Sequence, residues 1–199
     1  MRNKVLKILE ERLKRSRFHH TLRVTDMAMS IASACGESVE KAEIAGLFHD
    51  LAKNMSNDEL IHYMETHGIA VDDIVRRNLF LAHGMVAADM AKREHLVEDN
   101  EIIEAIAYHT IGRESLSKLA KIIYIADYVE PERSFSGVEE IRSVALSGEL
   151  DKALLMAIES QMTFLLTGHH EIHPNGLAMR NELVRELHSH HHPSRMINS

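Results

Sequence analysis

The chain has 199 residues, 45% of them hydrophobic, and carries 23 lysines and arginines against 30 acidic residues, a formal net charge of -7. That length suits a single domain with a substantial core, and the acidic balance argues against a surface that grips long duplex DNA, which needs basic side chains. The single cysteine, Cys35, excludes an internal disulfide framework and the Cys-rich zinc patterns, and fits a reducing, cytoplasmic setting.

Helical periodicity dominates, strand-like alternation is almost absent, and only three prolines and nine glycines punctuate the chain, so the fold class is all-α. The N-terminal MRNKVLKILEERLKR is charged throughout and reads as an amphipathic helix, not a signal peptide, with Val5, Leu6, Leu9 and Leu13 on one stripe. After a break near Ser16, Leu22, Val24, Ala28, Ile31 and Ala32 form a second stripe. Ser38 is the N-cap expected for the helix carrying AGLFHDLAKN, which puts Asp50 near that helix's end, and Ser56 with Glu59 fits a capping box for the next.

Further along, His83 sits in NLFLAHGMVAADMAKRE, and His109 closes EIIEAIAYHTIG, where Gly112 is the helix-ending residue. Asp127 falls on KLAKIIYIADYVEP, an apolar helix stopped by Pro131. The polar loop PERSFSG with Arg133 follows, then helices around Val138–Leu146, Leu150–Leu166 and Leu177–Leu187. No apolar run approaches the roughly 20 residues of a membrane span. Residues 1–187 read as one domain, and residues 188–199 as a histidine-rich, disordered tail that could bind metal adventitiously.

The chemistry lies in His20, His49-Asp50, His83, His109 and Asp127, all within apolar stretches. Imidazoles and bare carboxylates have little reason to be buried unless a charge compensates them, and the economical compensator is a metal. Taken singly, His20, His83 and His109 read more readily as hydrogen-bonded core or surface histidines than as ligands; the joint pattern is much rarer than its parts. His19 adjoins His20, but helical neighbours point about 100° apart, so only one of the two should face the site; the choice of His20, which Thr21-Leu22 follows, rests on the resemblance given below. Imidazole and carboxylate without thiolate suit iron, manganese or related divalent ions and are compatible with zinc. Because Asp offers two oxygens and can bridge, the set could hold two ions, a pairing suited to hydrolysing a phosphate ester or anhydride.

Lys53, three residues after Asp50, could reach a phosphate oxygen, and Arg133 could clasp one with two parallel hydrogen bonds. Arg23 is a third, weaker candidate. Of the aromatic side chains that could stack on a base, Phe135 in the loop is favoured, though a hydrophobic plug is its more ordinary role. Neither GxxxxGK[ST], GxGxxG nor GxSxG occurs, so a P-loop, a dinucleotide fold and a serine elbow are unsupported.

The order His20, His49-Asp50, His83, His109, Asp127 resembles the HD-domain metallophosphohydrolase superfamily in its dinuclear branch. RFHHTLRV, AGLFHDLAK, AHG, YHTIG and KIIYIADYVEPERSFSGV, across residues 17–138, look like the bacterial YqeK group of symmetrical bis(5′-nucleosyl)-tetraphosphatases. This resemblance implies an HD-domain helical bundle with a two-iron centre that splits diadenosine tetraphosphate into two ADP by a metal-activated hydroxide. Carried over residue by residue, His20, His49, Asp50 and Asp127 would hold one ion and Asp50, His83 and His109 the other. Asp50 and Lys53 would serve catalysis, while Lys53, Thr110 and Arg133, with His20, would lie against the substrate. A homodimer stays open. The rivals are a nucleotidase or an alarmone or cyclic-dinucleotide hydrolase, or a non-catalytic metal-dependent nucleotide-binding module.

Overall fold

The computed structural model describes residues 2–191, and among them there is no strand. The first helix, α1 (Arg2–Arg12), ends at Leu13–Lys14 instead of near Ser16, because the Lys14 N–H leaves the helical ladder and donates to Asn54 Oδ1 at 2.8 Å. The long α2 (Arg15–Cys35) then runs to Gly36, whose positive φ closes it. Ser38 caps α3 (Val39–Phe48) by accepting from Lys41 N, and Ser56 with Glu59 forms the full capping box of α4 (Asn57–His67), both as the local sequence predicts. A five-residue helix, α5 (Asp73–Arg77), capped by Asp72, and a 3-10 turn, Leu79–Ala82, lead into α6 (His83–Arg93). Then come α7 (Asn100–Tyr108), α8 (Lys118–Val129), α9 (Val138–Leu146), α10 (Leu150–Thr167) and α11 (Pro174–His191). The last helix runs four residues into the segment read as a frayed tail. Residues 192–199 lie outside the described residues.

Helices α2, α3, α7 and α8 pack on one another as a central bundle, with α6 against α7 and the α9–α11 group against α2 and α8. α8 is the buried axis: Leu119, Ile122, Ile123, Ile125 and Ala126 have no exposed surface, consistent with a helix apolar on nearly every face. α2 and α3 approach most closely at Gly46, where an added Cβ would stand 2.9 Å from the Thr25 Cα. Backbone cannot yield as a side chain does, so Gly46→Val should force the helices apart. The expected cost is about 2–3 kcal/mol and a melting temperature lower by about 5–10 °C. Thermal unfolding checks this, and an unchanged melting temperature would mean the helices part freely. No helix among the described residues is long and apolar enough to cross a membrane.

Candidate metal centre

Three of the site histidines stand at helix ends, not inside helices. α3 stops at Phe48, so His49 is its C-cap and Asp50 lies in the turn beyond; His109 is the C-cap of α7, and His83 opens α6. This differs from the expectation that His49 and Asp50 lie within their helix, and the cause is local. Each of the three rings turns back so that Nδ1 meets the carbonyl three residues earlier: Gly46 for His49 at 2.7 Å, Phe80 for His83, and Ile106 for His109 at 2.7 Å. A carbonyl only accepts, so Nδ1 carries the proton and each Nε2 presents its lone pair. Gly112, at φ +64°, donates to the Tyr108 carbonyl and closes the turn after His109.

The lone pairs converge. His83 Nε2 and His109 Nε2 are 3.0 Å apart, which is repulsive for two lone pairs unless a proton or cation lies between them. Asp50, 1% exposed, turns Oδ1 to His83 Nε2 at 3.1 Å and Oδ2 to His49 Nε2 at 3.4 Å and His20 Nε2 at 3.6 Å. His20 Nε2 also faces Asp127 Oδ1 at 3.1 Å. Yet His20 Nε2, His49 Nε2 and Asp50 Oδ1 are buried with no hydrogen-bond partner, a costly condition that one positive charge among them would relieve. The sets His20/His49/Asp50, His49/His109/Asp127 and Asp50/His83/His109 each bring their donor atoms within 4.8 Å of one another. The donor chemistry therefore fits divalent cations, and Asp50 belongs to two of the three sets.

The ionisation pattern has the same cause. Burial, reinforced by the charges of His83 and His49, pushes His109 down to about 3, so it is neutral at any working pH. Burial works against ionised Asp50, but the neighbouring His49 and His83 hold it well below the usual carboxylate range. Burial also works against a charged His49, and Asp50 outweighs it and raises that ring.

The remaining expected residues border this cluster. Lys53 follows Asp50 by one tight turn, its N–H bonded to the Asp50 carbonyl, and sets Nζ 3.2 Å from His83 Nε2; burial lowers its pKa against the pull of Asp50 and Asp127. Thr110 Oγ1 lies 3.1 Å from His109 Nε2 and 3.3 Å from His83 Nε2. Arg133 donates from Nη2 to Asp127 Oδ1 at 2.9 Å and from Nε to the Asp127 carbonyl at 3.1 Å. Arg23 does not join them. Its Nε donates to Glu130 Oε2 at 2.7 Å and its Nη2 faces Glu132 at 2.8 Å, behind His20.

Two residues escape the sequence reading. Glu130, 3% exposed, meets His20 Nδ1 at 3.2 Å and so leaves His20 Nε2 turned to the cluster, as the carbonyls do for the other rings. Arg17 donates to Asp50 Oδ2 at 2.8 Å. The spacing of Arg17 to His20, one helical turn on α2, was the available signal; Glu130 carried none beyond its place before Pro131. Phe135 packs on Tyr128, ring centroids 4.8 Å apart, in the wall of a cleft beside Asp127.

The HD domain family model matches residues 17–132, more than half of the chain. The chain is 36% identical to the Bacillus subtilis (strain 168) protein named symmetrical bis(5′-nucleosyl)-tetraphosphatase, covering 92% of this chain and 97% of that one. It is 35% identical to the Halalkalibacterium halodurans protein of the same name, over 93% and 98%. A Clostridium acetobutylicum crystal structure, described as a predicted HD superfamily hydrolase involved in NAD metabolism, superposes with a TM-score of 0.89 at 38% identity, over 94% and 98%. A buried His-Asp centre at converging helix ends, in a chain matched almost end to end by these relatives, means that the protein belongs to the HD domain family, in the group of the symmetrical bis(5′-nucleosyl)-tetraphosphatases.

Proposed function

We propose that the chain hydrolyses diadenosine tetraphosphate symmetrically to two ADP at a centre holding two divalent ions, iron in the first instance. The observation that carries this reading is the sharing of Asp50 between two donor sets, His20/His49/Asp50 and Asp50/His83/His109, in a chain so similar to named tetraphosphatases. His20, His49, Asp50 and Asp127 would hold one ion; Asp50, His83 and His109 would hold the other. Bound there, such ions supply Lewis acidity and a water acidic enough to attack phosphorus near neutral pH.

The chain's own residues supply the rest. The backbone carbonyls of Gly46, Phe80 and Ile106 and the Glu130 carboxylate keep all four imidazoles oriented with Nε2 inward. Lys53 and Arg133 bring positive charge to either side of the cluster, where it offsets the negative charge that grows on phosphoryl oxygens. Adding water across the central P–O–P bridge, by attack at one inner phosphorus, releases ADP from each half. The acidic overall surface is no obstacle to this small anion, because bound cations and these two side chains reverse the sign of the field locally.

A chromatographic time course of the iron-reconstituted protein with diadenosine tetraphosphate tests the reading: two ADP and no inorganic phosphate are expected. Intact substrate overturns it and points to a different nucleotide, while AMP with ATP overturns the symmetrical cut. Lys53→Ala should lower kcat about 10²–10³-fold while the bound metal content stays unchanged. Loss of metal in that variant would refute its role toward the phosphates.

A further inference from the structure

Two clefts meet at Thr110, beside the metal centre. The larger, about 680 Å³, is walled by Asp127, Arg133, Phe135 and Ser136. The smaller, about 300 Å³, is walled by Phe80, Ile111, Met162, His170 and Gly176. Both fall in the range of roughly 300–1,000 Å³ typical of small-molecule sites. Thr110, Tyr124, Gln161 and Phe164 line both clefts, and Thr110 touches the Nε2 atoms of His83 and His109, so the ridge between the clefts begins at the centre itself.

The ridge and the smaller cleft have built features. Tyr124 Oη donates to Gln161 Oε1 at 2.5 Å, which fixes the ridge from below. Phe164 is 68% exposed and lies nearly parallel to the His170 ring, at 28° with centroids 6.1 Å apart, so flat aromatic faces stand open at the rim. The outer wall is tied down: Glu171 accepts from Arg77 at 2.6 Å and Asn78 at 2.9 Å, and His173 meets Asp72 at 2.6 Å. At Gly176 an added Cβ would find nothing nearer than Met162 Cε at 3.6 Å, so this position bears no side chain where one would fit.

We propose that the smaller cleft is the subsite for the second nucleoside of a two-headed dinucleotide, the larger cleft holding the first. This rests on the tetraphosphatase reading for the reaction it serves. A cut at the middle of a symmetrical polyphosphate leaves equal arms on either side of the attacked bridge. A single cleft beside the centre would grip only one arm; here a second cleft, with its own walls, also opens at Thr110. Its walls are largely apolar and aromatic, the surface a purine stacks on.

The test is a calorimetric titration of the manganese(II)-loaded full chain with ADP, beside kinetics on one-headed and two-headed substrates. Wild type should bind two ADP per chain, and Gly176→Phe, which fills the smaller cleft, should bind one. That variant should raise KM for diadenosine tetraphosphate at least 10-fold and leave adenosine 5′-tetraphosphate within twofold. Met162→Trp, blocking the same space from α10, should repeat the pattern. One ADP on wild type, two ADP kept by both variants, or an equal loss on both substrates would overturn the subsite. If wild type binds two ADP and the variants one but no dinucleotide is cleaved, the subsite stands and the tetraphosphatase reading falls.

Discussion

Asp50→Ala should reduce turnover of diadenosine tetraphosphate by at least about 10³-fold and release bound metal, with the far-ultraviolet circular dichroism unchanged. The size follows from position: Asp50 is the one carboxylate in two donor sets, so its removal strips both of negative charge together. Losing a single charge-stabilising group from a preorganised site already costs about 10²–10³-fold. The helical fold should survive, because without Asp50 the His49 ring loses the charge that raises it and can stay neutral, and Arg17, its side chain 30% exposed, can turn to water. Asp50→Asn separates shape from charge: the amide keeps the volume and the contact with Arg17 at its oxygen but cannot balance two cations. Near-normal turnover with normal metal content in either variant would remove Asp50 from the mechanism.

Glu130→Ala should lower metal affinity and kcat by about 10–100-fold, the usual effect of removing the partner that orients a histidine ligand. Glu130 accepts from Arg23 at 2.7 Å and faces His20 Nδ1 at 3.2 Å, and it leaves the opposite nitrogen of His20 toward Asp50 and Asp127. Without it His20 can take either tautomer and rotate. Arg23 keeps its pairing with Glu132 at 2.8 Å, so the loss should register in the centre and not as global unfolding. Glu130→Gln should recover part of the activity, since its amide oxygen still accepts from His20. Burial pushes the Glu130 carboxyl up, but Arg23, the Glu132 N–H and His20 together hold it below its ordinary 4.5. Its contribution is therefore complete above about pH 4.5 and fades as acid protonates it below that value. Metal titrations of the three proteins at neutral pH decide this; equal affinities would make Glu130 merely structural.

Much of this molecule is written locally. Ser38, Ser56 with Glu59, and Pro131 mark helix ends by capping and backbone chemistry that acts over a few residues, and the structure ends its helices at or beside them, whereas α7 stops at Tyr108, short of Gly112. The six residues His20, His49, Asp50, His83, His109 and Asp127 were legible because buried imidazole and carboxylate in apolar stretches are anomalous by residue type alone. Their convergence was legible only as an inference from that anomaly. α5 was missed because five residues are too few to display a period.

What only the tertiary structure decided is which atoms face one another. His20 and Glu130 are separated by 110 residues, and Arg17 and Asp50 by 33; no periodicity links such pairs, and they meet because α2 packs against α3 and α8. The two clefts likewise exist because α10 and the start of α11 lie beside the centre, bringing Gln161, Phe164 and Gly176 to a site assembled from the first 133 residues. The sequence by itself determined the donor chemistry, since that resides in side-chain type and helix-end coding. The helix packing determined its geometry, because an interaction between distant segments gains its energy only once the chain has closed the loop between them.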